Sequence, residues 1–440
     1  MRTILPKPLH GELRAMPSKS VSHRALICAA LAEGESTVAP IQLSRDTEAT
    51  LACLEGIGLA RISGKAPMSD VPGSMRCRIA GSGIRSAAFP ESAEDAARRA
   101  PCGESGSTLR FLMPLALDGG RPVRFEGEGR LLQRPLAAYR KLFKTHCDDH
   151  AWTEEPGAIT VSGRLRGGEF ILPGDVSSQF ISGLLFALPR LREDSIIRML
   201  GDLESRAYID LTVSALARTG VMISRPDDRT LGVRGGQRAR AGFFAVEGDW
   251  SHAAFYLVAG LIGGTVKLFG LDADSLQGDR AIVEILRGMG GEVSREGSMW
   301  IAKPSALRGA RIDASQTPDL VPPLAVAACA ARGRTVIHNA ARLRLKECDR
   351  LAALRTELCA LGAAIEERPD GLVIEGGKRL RGGAADSRND HRIAMALAVA
   401  AALCDLPVEL SGSGAVTKSA PAFWNEYASL GGESHARSMG

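Results

Sequence analysis

The chain has 440 residues, with 55 lysines and arginines against 50 aspartates and glutamates, so its formal charge is only +5. That length predicts two domains of roughly 200 residues each, while the weak charge, the absence of a basic tail and the four tryptophans and four tyrosines argue against a nucleic-acid partner. The longest apolar run, Ile393 to Cys404, is too short to span a bilayer, and the N-terminus lacks the apolar stretch of a secretory signal, so a cytoplasmic protein with no membrane partner is expected.

In chain order, Thr3 to Leu13 reads as a strand ahead of the first helix. The helix starts on small polar residues, Ser18-Lys19-Ser20-Val21-Ser22-His23-Arg24, and continues as alanine and leucine to Gly34. A second helix of mixed polarity, Thr47 to Leu59, has leucine or isoleucine at steps of three and four and a glycine placed to stop it. The first kind of helix recurs from Ser105 to Gly119, Ser177 to Leu188, Asp249 to Gly260, Thr317 to Gly333 and Asn389 to Cys404. The second kind recurs from Asp210 to Val221, Ala281 to Ser294 and Asp349 to Glu366, and short β-like runs such as Ser195 to Leu200, Thr335 to Ala340 and Gly371 to Gly376 lie between.

Counted from Ser20, Ser107, Ser178, Ser251, Asp319 and Asp390, the intervals are 87, 71, 73, 68 and 71 residues. Six such units, grouped three and three, match two domains, with the apolar first helices inside each group and the second helices and sheets around them. Gly235 to Gly242 holds little that could be buried and is the linker expected after the third unit. The spare N-terminal strand then completes the other domain. The expected division is 1–14 plus 243–440 for one domain and 15–240 for the other, hinged near 14–18 and 235–242.

The nine cysteines are odd in number and lack short paired spacings, which suits free thiols in a reducing compartment. His146-Cys147-Asp148-Asp149-His150 has metal-ligating residue types but reads as a solvated turn, and no metal is expected.

Polar residues at a helix start satisfy free backbone N–H groups, so each start alone is a cap. Several carry a cation beside the cap: Lys19 and Arg24, Arg110, Arg392. A cation there opposes the helix dipole, and anion binding supplies a reason for it. Ser20 and Arg24 stand one helical turn apart, as do Arg130 and Arg134.

The ordered motifs Lys19-Ser20-x-Ser22-x-Arg24, Ser105-Gly106-Ser107-Thr108-x-Arg110, Arg130-x-x-x-Arg134-Pro135, Ser177-Ser178-Gln179-Phe180, Tyr208-Ile209-Asp210, Asp319, Lys346-Glu347-x-x-Arg350, Asn389-Asp390-His391-Arg392 and Lys418 span nearly the whole chain. On them the chain resembles the enolpyruvyl transferases, in the branch acting on shikimate 3-phosphate. The resemblance implies an α/β fold, a two-domain inverse α/β barrel with three similar β/α units per domain and a cleft that one chain can build, hence a monomer. It also implies transfer of the enolpyruvyl group of phosphoenolpyruvate to the 5-hydroxyl of shikimate 3-phosphate, without metal or organic cofactor.

By the same resemblance, Lys19, Ser20 and Arg24 serve both substrates, and Ser177, Ser178 and Ser205 meet the phosphate and ring of shikimate 3-phosphate. Gly106, Arg134, Gln179 and Lys418 meet the phosphoenolpyruvate phosphate, and Arg350 and Arg392 its carboxylate, with Lys346 a further substrate contact. Glu347 is implied as the acid that protonates the methylene carbon. Asp319 meets the attacking hydroxyl and later accepts the methyl proton, and Lys19 balances charge and assists proton transfer.

This chain departs from many relatives at Glu104, Ser107 and Arg342, where asparagine, threonine and asparagine are frequent. The sister branch that modifies UDP-N-acetylglucosamine usually carries a reactive cysteine shortly before an Arg-Pro motif; Gly119 to Pro135 holds none.

Overall fold

The computed structural model describes residues 1–82, 98–117, 120–175 and 177–436. Contacts divide the chain into two compact units, one made of Met1–Met16 with Glu247–Gly440 and the other of Pro17–Val246. Each has its own apolar core. The second chain crossing lies at Val246–Glu247, a few residues beyond the glycine-rich segment 235–242. The strands Ala239–Arg240 and Phe243–Ala245 pair in parallel with Ala32–Ile41, which ties them to the central unit.

Among the described residues, three sheets in each unit follow one plan: a parallel pair, then two antiparallel neighbours. In the central unit, Gly168–Pro173 runs parallel to Ser195–Leu200, followed by Thr230–Val233 and Ile223–Asp227. In the other, Arg311–Asp313 runs parallel to Gly333–His338, followed by Gly371–Gly376 and Ala364–Arg368. A parallel pair cannot be closed by a hairpin and needs a crossover. The helices Ser178–Ala187 and Val321–Ala330 lie in those two crossovers. The N-terminal segment supplies two sheets of the outer unit: Gly11–Arg14 pairs with Val266–Phe269, and Arg2–Ile4 sits between Val408–Ser411 and Ser434–Ala436.

Because sheets and second helices surround them, the crossover helices are apolar on every side. Trp250 to Leu261, Val321 to Cys329 and His391 to Ala400 are buried without exception. Alanine fills much of all three, which lets them approach closely at native density.

Two elements depart from the sequence reading. The helix expected from Ser105 spans only Gly106–Leu112, because Pro114 cannot donate into a continuing ladder; its expected end, Gly119, lies outside the described residues. The His146–His150 segment is no turn. His146 closes the helix Ala137–His146 and Cys147 opens the strand Cys147–Glu155, with a register shift between Asp148 and Ala151 where Asp149 takes φ 51°. All nine cysteines are free thiols, and eight are buried.

Three glycines meet the same constraint. A Cβ on Gly81, Gly235 or Gly376 would run into three carbonyl oxygens at or just beyond the C-terminal end of a buried helix: Ala29, Ala30 and Ala32; Leu191, Arg192 and Glu193; Ala328, Cys329 and Ala331. The neighbouring Gly377 N–H in turn satisfies the Cys329 carbonyl at 2.9 Å. Gly376→Ala is therefore expected to cost about 3 kcal/mol, the upper part of the overpacking range. Gly288→Ala, at a helix end with open space around it, should be neutral or slightly stabilising; thermal denaturation of the two variants checks the contrast.

Candidate active site

Each unit gathers one polar cluster at the starts of its buried helices. In the central unit, Ser18 caps Lys19–Leu31, its hydroxyl accepting from the Val21 N–H. Lys19 donates to Asp46 at 2.9 Å; Asp46 lies in the first turn of Arg45–Gly56, where a carboxylate also suits the dipole. Arg24 is buried, and its three nitrogens donate to Thr212 Oγ1, the Ser20 carbonyl and the Tyr208 carbonyl, all at 2.8 Å. It thus ties Lys19–Leu31 to Arg206–Ala217. Burial brings its pKa down to about 10.

Gly106 follows the cap Ser105, and a side chain there would come within 2.7 Å of Arg134 Nη1 and 3.2 Å of Arg110 Nη1. The bare backbone lets both guanidinium groups approach the helix start. Gln179 joins two helix starts, donating to Ser107 Oγ at 2.9 Å and accepting from Arg110 Nη1 at 2.7 Å. The Tyr139 hydroxyl donates to the carbonyls of Arg110 and Phe180, locking the same two helices together. Ser177 caps Ser178–Ala187, Ser178 is buried, and Ser205 takes φ 53° at the start of Arg206–Ala217. The Glu104 carboxylate lies against Gly129; a side chain at Gly129 would come within 2.8 Å of it.

In the outer unit Arg350 is the hub. Its guanidinium, 1% exposed, donates to Asp390 at 2.7 Å, Asp319 at 2.9 Å and Glu347 at 2.8 Å. Asp390 also caps His391–Ala400 through the Arg392 N–H. Arg392 and Lys346 reach Asp319 at 3.2 and 3.3 Å. Lys418 donates to the Asn389 carbonyl at 2.6 Å, at the start of the same helix. Arg342, one of the departures, donates to the Ser315 carbonyl at 2.8 Å.

Burial alone would raise the Asp319 pKa; Arg392, Lys346 and Arg350 reverse that and hold it well below the usual carboxylate range. Burial lowers the Lys346 ammonium, with Asp319 opposing. Asp279, fully buried, is pushed up to about 6 by burial and then by the Asp319 charge, while Arg392 and the Ser251 hydroxyl act against the shift.

The structure thus brings Asp319, Lys346, Glu347, Arg350 and Arg392 into one cluster, with Lys418 at the same helix start as Arg392. Gly106, Arg134 and Gln179 form another, with Lys19 held separately on Asp46. The sequence reading did not single out Asp46 or Asp279 as partners. Asp46 sits in an ordinary capped helix start, and only the pairing distance gives it a role. Among the described residues no cluster of His, Cys, Asp and Glu is arranged to hold a metal, and no helix is long and apolar enough to cross a membrane.

The family model described as EPSP synthase (3-phosphoshikimate 1-carboxyvinyltransferase) matches residues 5–427. The chain belongs to that family. It is 42% identical over 442 residues to the 3-phosphoshikimate 1-carboxyvinyltransferase of Clostridium novyi, covering 99% of both chains, and 43% identical over 440 residues to that of Clostridium acetobutylicum, again covering 99% of both. A solved EPSP synthase from Acinetobacter baumannii aligns with TM-score 0.79 and 26% identity over 99% of each chain. The two-unit architecture is that of the enolpyruvyl transferases. The protein is an enzyme that transfers the enolpyruvyl group of phosphoenolpyruvate to shikimate 3-phosphate.

For Asp279 the raised pKa gives a pH signature. Its contribution to stability is fully present below the unfolded value of about 3.9 and is lost as pH rises through about 6, since the buried carboxyl must then ionise. Asp279→Asn should therefore be more stable than the parent at about pH 8, by on the order of 2–3 kcal/mol, and lose that advantage towards about pH 4. Urea denaturation at the two pH values measures it.

Proposed function

We propose that the two clusters divide the transfer reaction between them. In this reading the phosphate of phosphoenolpyruvate is taken by Gly106, Arg134, Gln179 and Lys418, and its carboxylate by Arg350 and Arg392. Ser177, Ser178 and Ser205 take shikimate 3-phosphate, and Lys19, Ser20, Arg24 and Lys346 supply further donors. The observation that carries the reading is the convergence of Arg350, Arg392 and Lys346 on Asp319, beside Glu347.

The chemistry follows from that balance. Glu347 protonates the methylene carbon while the 5-hydroxyl adds to C2, forming a tetrahedral adduct that then expels phosphate. Asp319 meets the hydroxyl and later accepts a methyl proton, with Lys19 assisting at the oxygen. An ionised Asp319 held by three cations is a weak base. A substrate carboxylate that takes the Arg350 and Arg392 donors withdraws that compensation and raises Asp319 basicity at the moment it is needed. The positive groups stabilise developing charge without a metal or organic cofactor. The chain crossings at 16–17 and 246–247 are proposed as the hinge, and the enzyme as a cytoplasmic monomer with no nucleic-acid or membrane partner.

Phosphate release from phosphoenolpyruvate should appear with shikimate 3-phosphate and not with UDP-N-acetylglucosamine. In the same assay Glu347→Gln keeps size and hydrogen bonding but loses the acidic proton, and should lower turnover by about 10²–10⁴-fold with little change in substrate affinity; near-full turnover removes Glu347 from the proposed role.

Gly106→Ala tests the phosphate assignment. The added methyl meets the far end of the flexible Arg134 side chain, so the fold tolerates it while the guanidinium is displaced. The KM for phosphoenolpyruvate should rise roughly five-fold or more, about 1 kcal/mol of binding, with an unchanged melting temperature; steady-state kinetics and thermal denaturation read the two effects.

A further inference from the structure

Behind the central cluster runs a chain of side chains that the reaction does not use. His23 Nδ1 lies 2.7 Å from Thr50 Oγ1, Thr50 Oγ1 lies 2.7 Å from Thr108 Oγ1, and Thr108 Oγ1 donates to Ser105 Oγ at 2.7 Å. None of the four residues is more than 2% exposed. The chain links three helix starts: His23 is in Lys19–Leu31, Thr50 in Arg45–Gly56, and Thr108 with its cap Ser105 at Gly106–Leu112. The Thr50 hydroxyl also lies 3.2 Å from the carbonyl of Asp46, the residue whose carboxylate holds Lys19, a longer alternative acceptor for its single proton.

A threonine hydroxyl has one proton, so the chain can be satisfied in few ways. In the arrangement where Thr108 donates to Ser105 and Thr50 to Thr108, His23 donates from Nδ1. His23 Nε2 is then the bare ring nitrogen, and among the described residues it has no partner. Burial, then the charges of Lys19 and Arg24, lower the His23 pKa well below 6.5, which keeps the ring neutral. Buried polar groups are costly unless fully paired, so a chain tolerated here fixes the distances between the elements it joins.

We propose that His23, Thr50 and Thr108 are positioning residues: their hydrogen-bonded chain sets the Ser105-Gly106-Ser107 helix start at a fixed separation from Lys19 and Asp46, and so sets the affinity of that helix start for the phosphoenolpyruvate phosphate. The inference rests on the phosphate assignment proposed above. It gives the hydroxyls a role in binding that a purely structural contribution would not produce.

Thr50→Val and Thr108→Val keep side-chain shape and remove the hydroxyl; Thr50→Ser restores it. Each valine variant should raise the KM for phosphoenolpyruvate about five-fold, the equivalent of one lost hydrogen bond, with a smaller change in kcat and in the KM for shikimate 3-phosphate. Thr50→Ser should return to near the parent value, and the double valine variant should be no worse than about either single one, since both break the same chain. Melting temperatures confirm that each variant is folded under assay conditions. Arg134→Ala separates the two levels. If it leaves the phosphoenolpyruvate KM unmoved, the phosphate assignment itself fails; if it raises that KM while the valine variants only lower the melting temperature, the positioning role is overturned.

Discussion

A helix buried on every side can offer polar chemistry only at its ends. Trp250–Ile262, Val321–Ala330 and His391–Ala400 are enclosed by sheets and outer helices, and the close meeting of Gly81, Gly235 and Gly376 with carbonyls shows how tightly C-terminal ends are sealed in three of the six repeats. What remains is the N-terminal end, with free N–H groups and a partial positive charge. Lys19, Ser20, Gly106, Ser178, Gln179 and Arg392 of the proposed substrate groups lie in the first turn of such a helix. The repeated fold thus supplies several anion-accepting ends at once, and the sequence differentiates them by what it places beside each cap.

The two units use that opportunity differently. Around Gly106 the donors are a bare backbone, serines, an amide and guanidinium groups brought close by the missing side chain. Around Arg350 the cations are already paired with Asp390, Asp319 and Glu347. Burying a guanidinium is tolerable only when its hydrogen bonds are well made, and removing one partner would leave a charge uncompensated. In the proposed reaction the Arg350 cluster exchanges partners, and a change of partners changes the proton affinity of its carboxylates.

Much of this was legible in the sequence because the repeat is long and its helix starts are polar. The period exposed six units, and the motif order pointed to the family. What escaped was set by distance rather than pattern. Asp46 looks like any capped first-turn acid until its carboxylate is found 2.9 Å from Lys19. The bonds from Arg24 to Thr212, Ser20 and Tyr208, which join two helices, are likewise set by distance. Pro114 cuts short a helix that alanine and leucine content extended, and the residues 146–150 form a helix end and a bulged strand because Cys147 turns inward. Thr50 and Thr108 carry no local signal, since a threonine inside a helix is unremarkable until another lies opposite.

The N-terminal strands also impose an order on synthesis. Residues 2–4 and 11–14 emerge first, but their partners are residues 408–410, 434–436 and 266–269. The central unit takes all of its strands from 17–246 and has its complete set of pairings once that stretch has been made. Residues 2–4 and 11–14 must therefore wait for partners that are made only after the whole central unit. Non-local pairing carries a larger loop-closure cost than local pairing, and until those partners are in place the strands they cover keep open edges.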